Sequence, residues 1–595
     1  MAWQRGQALR LAVRVSRYDA GRRVPLEKVI SIMTARITKH FITVGHRRVH
    51  YLRAGEGPVV ALLHASACSA KVLRLPMTIF STRFTAIAFD TPGFGLSDLL
   101  EKAQPETEDL ADGLADALTA MGIDQVATYG RHTGAQVAVE FGVRHPERCA
   151  LALTDGYPMF SPDNQWADLS EYLAPIRPTF AGEHLLWLWF RYRDQHVFWP
   201  WNEQRLDKRA DSDVPELDYL HRGVIEFLEA GDDYKTGYAT AFRHHGLRAL
   251  QAAKIPICLG VRPGDSLYNT RKLYPPGAWV EEMPREAIAA ARAELAILAK
   301  HPASSTAPAA PRCAPITGRS TTQYVDLGDT QILTRSIGDL RDAAPIVVLH
   351  HAPGSSALYE SLVRDIGKQH PVIALDLPGH GESDPLPDME QSIGAWAKAA
   401  RRTLDACGVG AMHLYGHNGG ASVAAHLAEQ LGDRVRSMTL DAPICLTDAE
   451  LADIAPRWLD GVESVMPCWD GSHLLRVWHM RRDMELWWPW NVRRHANARA
   501  SAPRIDPARL TLEVREVMKQ PASFAPAWRA VMQYPMLMQL ARTQTPALLM
   551  AAPQDVFARC MPAAHSVRPD ARTLEIADTD AARAGAILRI AASAA

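Results

Sequence analysis

The sequence contains one series of segments twice, in the same order. LLHASACSA at 62–70 is matched by VLHHAPGSS at 348–356, and FDTPGFGLSD at 89–98 is matched by LDLPGHGESD at 375–384. Each pair is 286 residues apart, and later pairs are separated by slightly larger distances. Ordered matches with a slowly drifting spacing indicate duplication of a whole domain rather than a short repeating unit.

Each copy alternates apolar, β-branched segments with stretches of helical periodicity. PVVALLH at 58–64 and PIVVLHH at 345–351 are continuously apolar, which is typical of strands buried on both faces. The sequence therefore predicts the α/β class, with two mostly parallel, doubly wound sheets. Ligands of such sheets bind outside the carboxyl ends of the strands.

The length of 595 residues exceeds what a single core accommodates. A segment rich in Pro, Ala and Ser separates the two copies, and a basic segment precedes them. The predicted organisation is a basic N-terminal tail at 1–36, a first domain at 37–300, a linker at 301–320 and a second domain at 321–595.

The net charge of −1 argues against broad electrostatic binding to nucleic acid or anionic membranes. Eight scattered cysteines without a C-x-x-C spacing favour reduced thiols and a cytoplasmic protein. No apolar run reaches the roughly 18 residues of a membrane span. The expected partners are a small-molecule substrate and the other half of the chain, as an internal pseudo-dimer that could also form homo-oligomers.

Two glycine-spaced turns connect a strand-like segment to an alanine-rich, helix-like one. They are TYGRHTGAQVA at 128–138 and LYGHNGGASVA at 414–424. This is the layout of a nucleophile elbow, G-x-Ser-x-G, in which a strained turn holds a reactive side chain above a sheet. The reactive position is occupied by His132 in the first copy and by Asn418 in the second.

Together these segments resemble the α/β-hydrolase superfamily over nearly all of both copies. The shared marks are a His at the head of the oxyanion loop, at His64 and His350, and a D-x-P-G-x-G-x-S-D loop, besides the two elbows. The resemblance implies two α/β-hydrolase-fold domains in tandem, each with a helical cap. The caps are expected at about 160–250 and about 446–540.

The family's chemistry requires a nucleophile on the elbow, an acid after a late strand and a His after the last strand. The expected acids are Asp265 and Asp555, and an alternative acid position is occupied by Asp155 and Asp441. The nucleophile and the late His are absent from the sequence of both copies. Arg285 and Asp578 lie near the two vacant His positions. Neither copy can therefore run a Ser–His–Asp relay.

An imidazole on the elbow can act as base or nucleophile near neutral pH, because its reference pKa is about 6.5. His132 would then be oriented by Asp155 or Asp265. The oxyanion donors would be backbone N–H groups of Thr133 and of the loop that contains Ala65 and Ser66. Asn418 has no comparable basicity, so the second copy is interpreted as degenerate.

The cap segments 182–202 and 471–491 are the most similar part of the two copies, with 11 of 21 positions identical. Tryptophan and arginine side chains there could wall a pocket, and a purely structural cluster is the alternative. The candidate pocket residues are His184, Trp189, Arg193, Trp199 and Trp201 in the first copy, and His351, His473, Trp478, Arg482, Trp488 and Trp490 in the second.

A metal site built from His132, His184 and an Asp lacks any supporting local spacing, so neither a metal nor a cofactor is predicted. The predicted function is hydrolysis, or a related lyase step, on a small apolar carbonyl compound such as an ester, lactone or β-diketone. The alternative is a catalytically inactive ligand-binding or scaffold protein. The doubly absent late His favours that alternative, whereas the titratable His132 argues against it.

Overall fold

The computed structural model describes residues 36–160, 168–341, 343–460 and 465–594. Residues 1–35 of the expected N-terminal tail lie outside the described residues. The described chain divides into two compact units. One holds the residues up to Arg177 together with Trp187–Ala314, and the other holds Pro178–Leu186 and the residues from Pro315 onward.

The first unit is built around an eight-stranded sheet in the order β1-β2-β4-β3-β5-β6-β7-β8. The pairs β1–β2 and β2–β4 are antiparallel, and all the other pairs are parallel. The strands are β1 (Thr38–Val44), β2 (Arg47–Ala54), β3 (Val59–Leu63), β4 (Thr85–Phe89), β5 (Val126–Arg131), β6 (Cys149–Asp155), β7 (Ile257–Val261) and β8 (Val280–Glu282).

The second unit repeats this topology in the order β9-β10-β12-β11-β13-β14-β15-β16. Here too the first two pairs are antiparallel and the others parallel. The strands are β9 (Thr321–Asp326), β10 (Gln331–Ile337), β11 (Ile346–Leu349), β12 (Val372–Leu375), β13 (Met412–His417), β14 (Val435–Asp441), β15 (Ala547–Ala551) and β16 (Arg572–Glu575).

Helices cover both sheets and form the caps, and within the described ranges none of them is long and apolar enough to cross a bilayer. In the first repeat they are α1 (Arg74–Phe80), α2 (Thr107–Ala120), α3 (Thr133–Arg144), α4 (Glu183–Asp194), α5 (Leu217–Ala230), α6 (Tyr234–Arg243), α7 (Gly246–Ala252) and α8 (Ala287–Leu298). In the second they are α9 (Glu360–Gly367), α10 (Ile393–Ala406), α11 (Gly419–Leu431), α12 (Asp448–Asp460), α13 (Ser472–Met484), α14 (Pro507–Met518), α15 (Pro521–Met532), α16 (Met536–Arg542), α17 (Met561–Val567) and α18 (Asp580–Ser593).

The central strands are buried along their whole length, as the continuous apolar segments predict. Every residue of β3 and of β11 is buried, because helices pack on both faces of the sheet. These strands end at the oxyanion loops, and β5 and β13 end at the elbows. The sheets therefore bring the motifs of each copy to one edge.

Part of the segment between the two sheets is held against the first unit. Residues up to Ala314 belong to the first unit. Thr306 forms an isolated β-bridge with Pro58, and the backbone N–H of Val59 donates to Ser305 O at 3.2 Å. The other residues of 301–320 are mostly exposed or half-buried. Backbone groups near the start of β3 provide hydrogen-bond partners for a segment that has no periodicity of its own.

Candidate active site

Both elbows adopt the strained backbone that the motif requires. His132 has φ 48° and ψ −115°, and Asn418 has φ 47° and ψ −111°. A positive φ is uncommon for residues with a side chain, and such positions concentrate at functional sites. Gly130 and Gly134 permit the turn, because a Cβ on Gly130 would collide with the carbonyl of Gly134.

The His132 ring is held by one carboxylate. Its Nε2 lies 2.9 Å from Asp265 Oδ2 and 3.0 Å from Oδ1. Burial opposes ionisation of Asp265, yet His132 and then Arg131 hold the pKa of that carboxyl well below its usual value. An ionised Asp265 can only accept, so Nε2 carries the proton and donates. Among the described residues Nδ1 of His132 has no hydrogen-bond partner, and 29% of the side chain is exposed.

The carboxylate of Asp155 pairs with two arginines rather than with the ring of His132. Arg131 Nε lies 3.0 Å from its Oδ2, and Arg262 forms a short ion pair with the same oxygen. Tyr129 OH is within 3.5 Å of Asp155 and 3.4 Å of Glu294. Burial and then Asp155 raise the pKa of Glu294 to about 8, against the effect of Arg262. The structure therefore brings Asp265 to the ring of His132 and places Asp155 in a buried charge cluster.

The loop after β3 is fixed from both sides by His64. Its Nδ1 lies 2.9 Å from Ala65 O, and its Nε2 accepts from the backbone N–H of Thr91 at 3.0 Å. The Ser66–Ala67 peptide in this loop is cis. Cys68 Sγ lies 3.8 Å from Tyr192 OH. The loop thus reaches the cap at Tyr192.

The cap contributes an aromatic and imidazole cluster around His196. The His196 ring packs edge-on against Tyr192 at 5.2 Å and against Tyr219 at 5.6 Å between ring centroids. Its Nε2 is buried and has no hydrogen-bond partner among the described residues. Burial, followed by the charges of His132 and Arg131, lowers the pKa of His196 to about 4. His196 is therefore neutral at pH 7 and lies within electrostatic reach of His132.

The predicted cap residues of the first copy are dispersed. His184 belongs to the second compact unit, where its Nε2 is 2.9 Å from Thr511 Oγ1, so it is not grouped with His132. Trp189 is fully buried. Arg193 pairs with Asp194 at 3.0 Å.

Trp199 and Trp201 both contact Tyr172. The Trp199 ring lies 5.8 Å from the Tyr172 ring, and Trp201 Nε1 donates to Tyr172 O at 3.0 Å. Arg191 lies over the Trp201 ring, 5.2 Å from its centroid. Through these contacts the side chains form a packed aromatic cluster.

In the second half a different His reaches the acid after β15. His417, the residue before the elbow position, has its Nε2 3.0 Å from Asp555 Oδ2. Burial works against protonation, yet Asp441 and the hydrogen bond to Asp555 raise the pKa of His417. The Asn418 amide donates to Ala442 O at 3.0 Å and lies 3.3 Å from Asp555 Oδ2.

The other nitrogen of His417 is also occupied. Its Nδ1 lies 2.7 Å from Tyr359 OH, and that hydroxyl is 2.9 Å from His351 Nδ1. The backbone N–H of His351 donates to the same hydroxyl at 3.1 Å. His417 therefore has no nitrogen left for a ligand in this arrangement, unlike His132.

Asp441, the carboxylate behind the second elbow, also has different partners from Asp155 in the first half. Asp441 accepts from Arg583 Nε at 2.8 Å and from Tyr415 OH at 2.9 Å. Asp578, near the vacant late-His position, accepts from Arg583 at 2.7 Å. In the first half, the residue at the corresponding vacant position, Arg285, instead pairs with Asp211 at 3.1 Å.

The predicted cap residues of the second copy are largely buried. His473 and Trp478 are fully buried, and Arg482 lies 3.6 Å from Asp483. Trp488 packs edge-on against Phe557 at 5.0 Å, and the guanidinium of Arg493 lies 5.9 Å from the Trp490 ring centroid. Among the residues that the structure describes, no group of three His, Cys, Asp or Glu side chains is arranged to hold a metal ion.

Four residues of these sites were missed by the sequence reasoning: Arg131, His196, Tyr359 and His417. Arg131 and His417 directly precede the elbow residues. A charged or titratable residue at the end of an apolar strand could have indicated both of them from the sequence. His196 and Tyr359 had no such signal, because nothing local distinguishes them from structural residues.

A family model described as alpha/beta hydrolase fold matches residues 344–472. Each sheet has two antiparallel pairs at one edge and a parallel remainder that leads into the elbow. Both halves have the α/β-hydrolase fold. The tandem arrangement predicted from the repeat is thus confirmed as two such sheets.

Matches to individual proteins are partial. A proline iminopeptidase of Lactobacillus delbrueckii subsp. bulgaricus is 28% identical over 131 residues, which is 21% of this chain and 44% of that protein. The dihydrolipoyllysine-residue acetyltransferase component of the acetoin cleaving system of Cupriavidus necator is 41% identical over 78 residues, 13% of this chain and 21% of that protein. The chain thus spans less than half the length of these curated relatives.

The solved structure of MGS-M2, an alpha/beta hydrolase enzyme from a Medee basin deep-sea metagenome library, is also similar. It is 15% identical with a TM-score of 0.36, and the match covers 45% of this chain and 96% of that one.

Proposed function

We propose that the first half catalyses hydrolysis, or a related lyase step, on a small carbonyl compound such as an ester, lactone or β-diketone. The observation that carries this proposal is the His132 ring on the strained elbow. Its Nε2 is bound to Asp265, and its Nδ1 has no partner among the described residues. With 29% of the His132 side chain exposed, this nitrogen is available to a ligand.

As a general base, His132 Nδ1 would take a proton from the water that attacks the carbonyl carbon. The imidazolium so formed would be stabilised by Asp265. As a nucleophile acting on an ester, Nδ1 would add to the carbonyl carbon and expel the alcohol, which takes a proton from solvent; water would then hydrolyse the acyl-imidazolium to the acid and the free ring. In both routes backbone N–H groups of Thr133 and of the Ala65–Ser66 loop would stabilise the oxyanion.

We propose that the second half is catalytically degenerate, because both nitrogens of His417 are hydrogen bonded and the elbow residue Asn418 is not basic. The second candidate for the whole chain is a ligand-binding or scaffold protein without turnover. It is favoured by the late-His positions, where Arg285 and Asp578 are committed to ion pairs.

The test is turnover of a panel of p-nitrophenyl esters, lactones and β-diketones, combined with labelling by a fluorophosphonate. We expect turnover without labelling, because no hydroxyl is present at residues 132 and 418. Stoichiometric labelling mapped to Ser66 or to another oxyanion-loop serine would replace the His-centred mechanism. Absence of turnover across the panel would favour the ligand-binding candidate.

A further inference from the structure

Arg131 ends β5 and immediately precedes the elbow residue. Its Nε is 3.0 Å from Asp155 Oδ2, and 29% of its side chain is exposed. Among the described residues, neither terminal nitrogen of the guanidinium has a hydrogen-bond partner. A guanidinium carries five N–H donors in a planar fork, so most of this group's donors are available for a ligand.

The surroundings of Arg131 are those of the candidate active site. Its charge interacts with Asp265, the carboxylate that holds His132, and with the Cys68 thiol of the oxyanion loop. It also interacts with His196 and Tyr219 of the cap. The guanidinium is thus within electrostatic reach of elbow, loop and cap alike.

One carboxylate behind the elbow serves two guanidinium groups. Arg131 and Arg262 share the single carboxylate of Asp155. Glu294 lies 3.6 Å from Arg262, but because its pKa is raised by burial and Asp155 to about 8, it is mostly neutral at pH 7. Asp265 is paired with His132. A carboxylate bound at Arg131 would supply acceptors for its remaining donors.

We propose that Arg131 binds a carboxylate of the substrate, so that the first half acts on small carbonyl compounds that carry a carboxylate as well as the reacting carbonyl. The planar pair of terminal nitrogens matches a carboxylate in a bidentate geometry. The part of this proposal that concerns the reacting carbonyl rests on the proposed function of His132. The binding of the carboxylate does not.

The second half lacks this feature. The residue that corresponds to Arg131 is His417, whose two ring nitrogens are occupied by Asp555 and Tyr359. Arg583, a buried arginine behind the second elbow, binds Asp441 and Asp578. The recognition of a carboxylate is therefore assigned to the first half alone.

The binding experiment is isothermal titration of the full chain with glutarate, which has two carboxylates and no ester. We expect binding by the unmodified protein and by His132→Ala, and at least about tenfold weaker binding by Arg131→Gln, as loss of a charge-assisted hydrogen bond implies. Arg131→Lys keeps a charge beside Asp155 and loses the fork, so we expect an intermediate affinity. It also replaces Arg131→Gln as the test if that variant does not fold.

Equal glutarate affinity in the unmodified protein and the folded Arg131 variants would overturn the proposal, as would no binding by the unmodified protein. Equally tight, Arg131-dependent binding of inorganic phosphate would overturn the assignment to a carboxylate.

The kinetic experiment compares mono-p-nitrophenyl glutarate with neutral p-nitrophenyl hexanoate. We expect Arg131→Gln to raise KM for the glutarate ester at least about tenfold and to change the hexanoate little. An equal effect on both esters would overturn the proposal. If neither ester is turned over while glutarate binding depends on Arg131, the hydrolytic function fails and the carboxylate site stands.

Discussion

Each half of the molecule holds a His against the acid that follows its seventh strand, but the two histidines occupy adjacent positions of the elbow. In the first half the His is the elbow residue itself, His132, and one ring nitrogen is left without a partner among the described residues. In the second half it is the preceding residue, His417, and both nitrogens are bound. A shift of one residue decides whether the His of the His–Asp pair keeps a ring nitrogen without a partner among the described residues or has both nitrogens bound.

The layer behind the elbow differs as well. The last helix of the first half places Glu294 in the cluster around Asp155, together with Arg131 and Arg262. The last helix of the second half places Arg583 directly on Asp441. One half thus keeps a guanidinium with available donors beside its elbow, and the other uses its arginine as a closed structural pair.

The largest expected effect concerns that closed pair. Arg583→Met should lower the free energy of unfolding of the second unit by about 3–5 kcal/mol, because it leaves the fully buried Asp441 without its positively charged partner. Urea denaturation followed by circular dichroism measures the change. Arg285→Met is the matched control in the first half, where the pair with Asp211 is exposed and the change should stay below about 1 kcal/mol. Equal stabilities of the two variants would contradict this difference.

The next effect separates the two elbows. His132→Ala should lower kcat at least about a hundredfold, close to 2.7 kcal/mol in activation free energy, if the ring is base or nucleophile. Asn418→Ala, at the equivalent position, should change kcat much less. Steady-state kinetics on an ester that the protein turns over provides the measurement. Loss of activity in Asn418→Ala with full rate in His132→Ala would move the active site to the second half.

A smaller effect separates the two acids. Asp265→Asn should lower kcat about tenfold or more, because an amide no longer fixes the His132 tautomer or stabilises its imidazolium. Asp555→Asn should leave the rate near that of the unmodified protein, since His417 is not exposed to ligand through either nitrogen. A larger loss in Asp555→Asn would show that the second network takes part in turnover.

The smallest effect is a dependence of stability on pH that arises from Glu294 in the first half. The pKa of Glu294 is raised, first by burial and then by Asp155, to about 8. Above pH 4.5, the ordinary pKa of this carboxyl, the unfolded state loses a proton that Glu294 keeps in the folded state. The stabilisation of the folded state by this proton is complete below pH 4.5 and is lost as the pH rises through 8.

Between pH 6.5 and 7.5 the free energy of unfolding of the first unit should accordingly fall by about 1 kcal/mol more in the unmodified protein than in Glu294→Gln. Chemical denaturation at these two pH values measures the difference. Parallel stability curves for the two proteins would contradict a protonated Glu294.

Much of the fold could be predicted because it is repeated along the chain. The matched segments, the apolar strands and the glycine-spaced turns are local features, and they fix two parallel sheets with an elbow at the end of β5 and of β13. The packing of residues 301–314 with the first unit could not be predicted, because its hydrogen bonds are made to backbone groups far away in sequence.

The sequence by itself determined that neither elbow position carries a hydroxyl, because residue 132 is His and residue 418 is Asn. Only the tertiary structure decided which acid serves which base. Asp265 is 133 residues from His132, and Asp155, only 23 residues away, is taken by Arg131 and Arg262 instead. The physical reason is that hydrogen bonds and ion pairs depend on distances of a few ångströms between strand ends. The crossovers of a parallel sheet bring those ends together without leaving a local trace in the sequence.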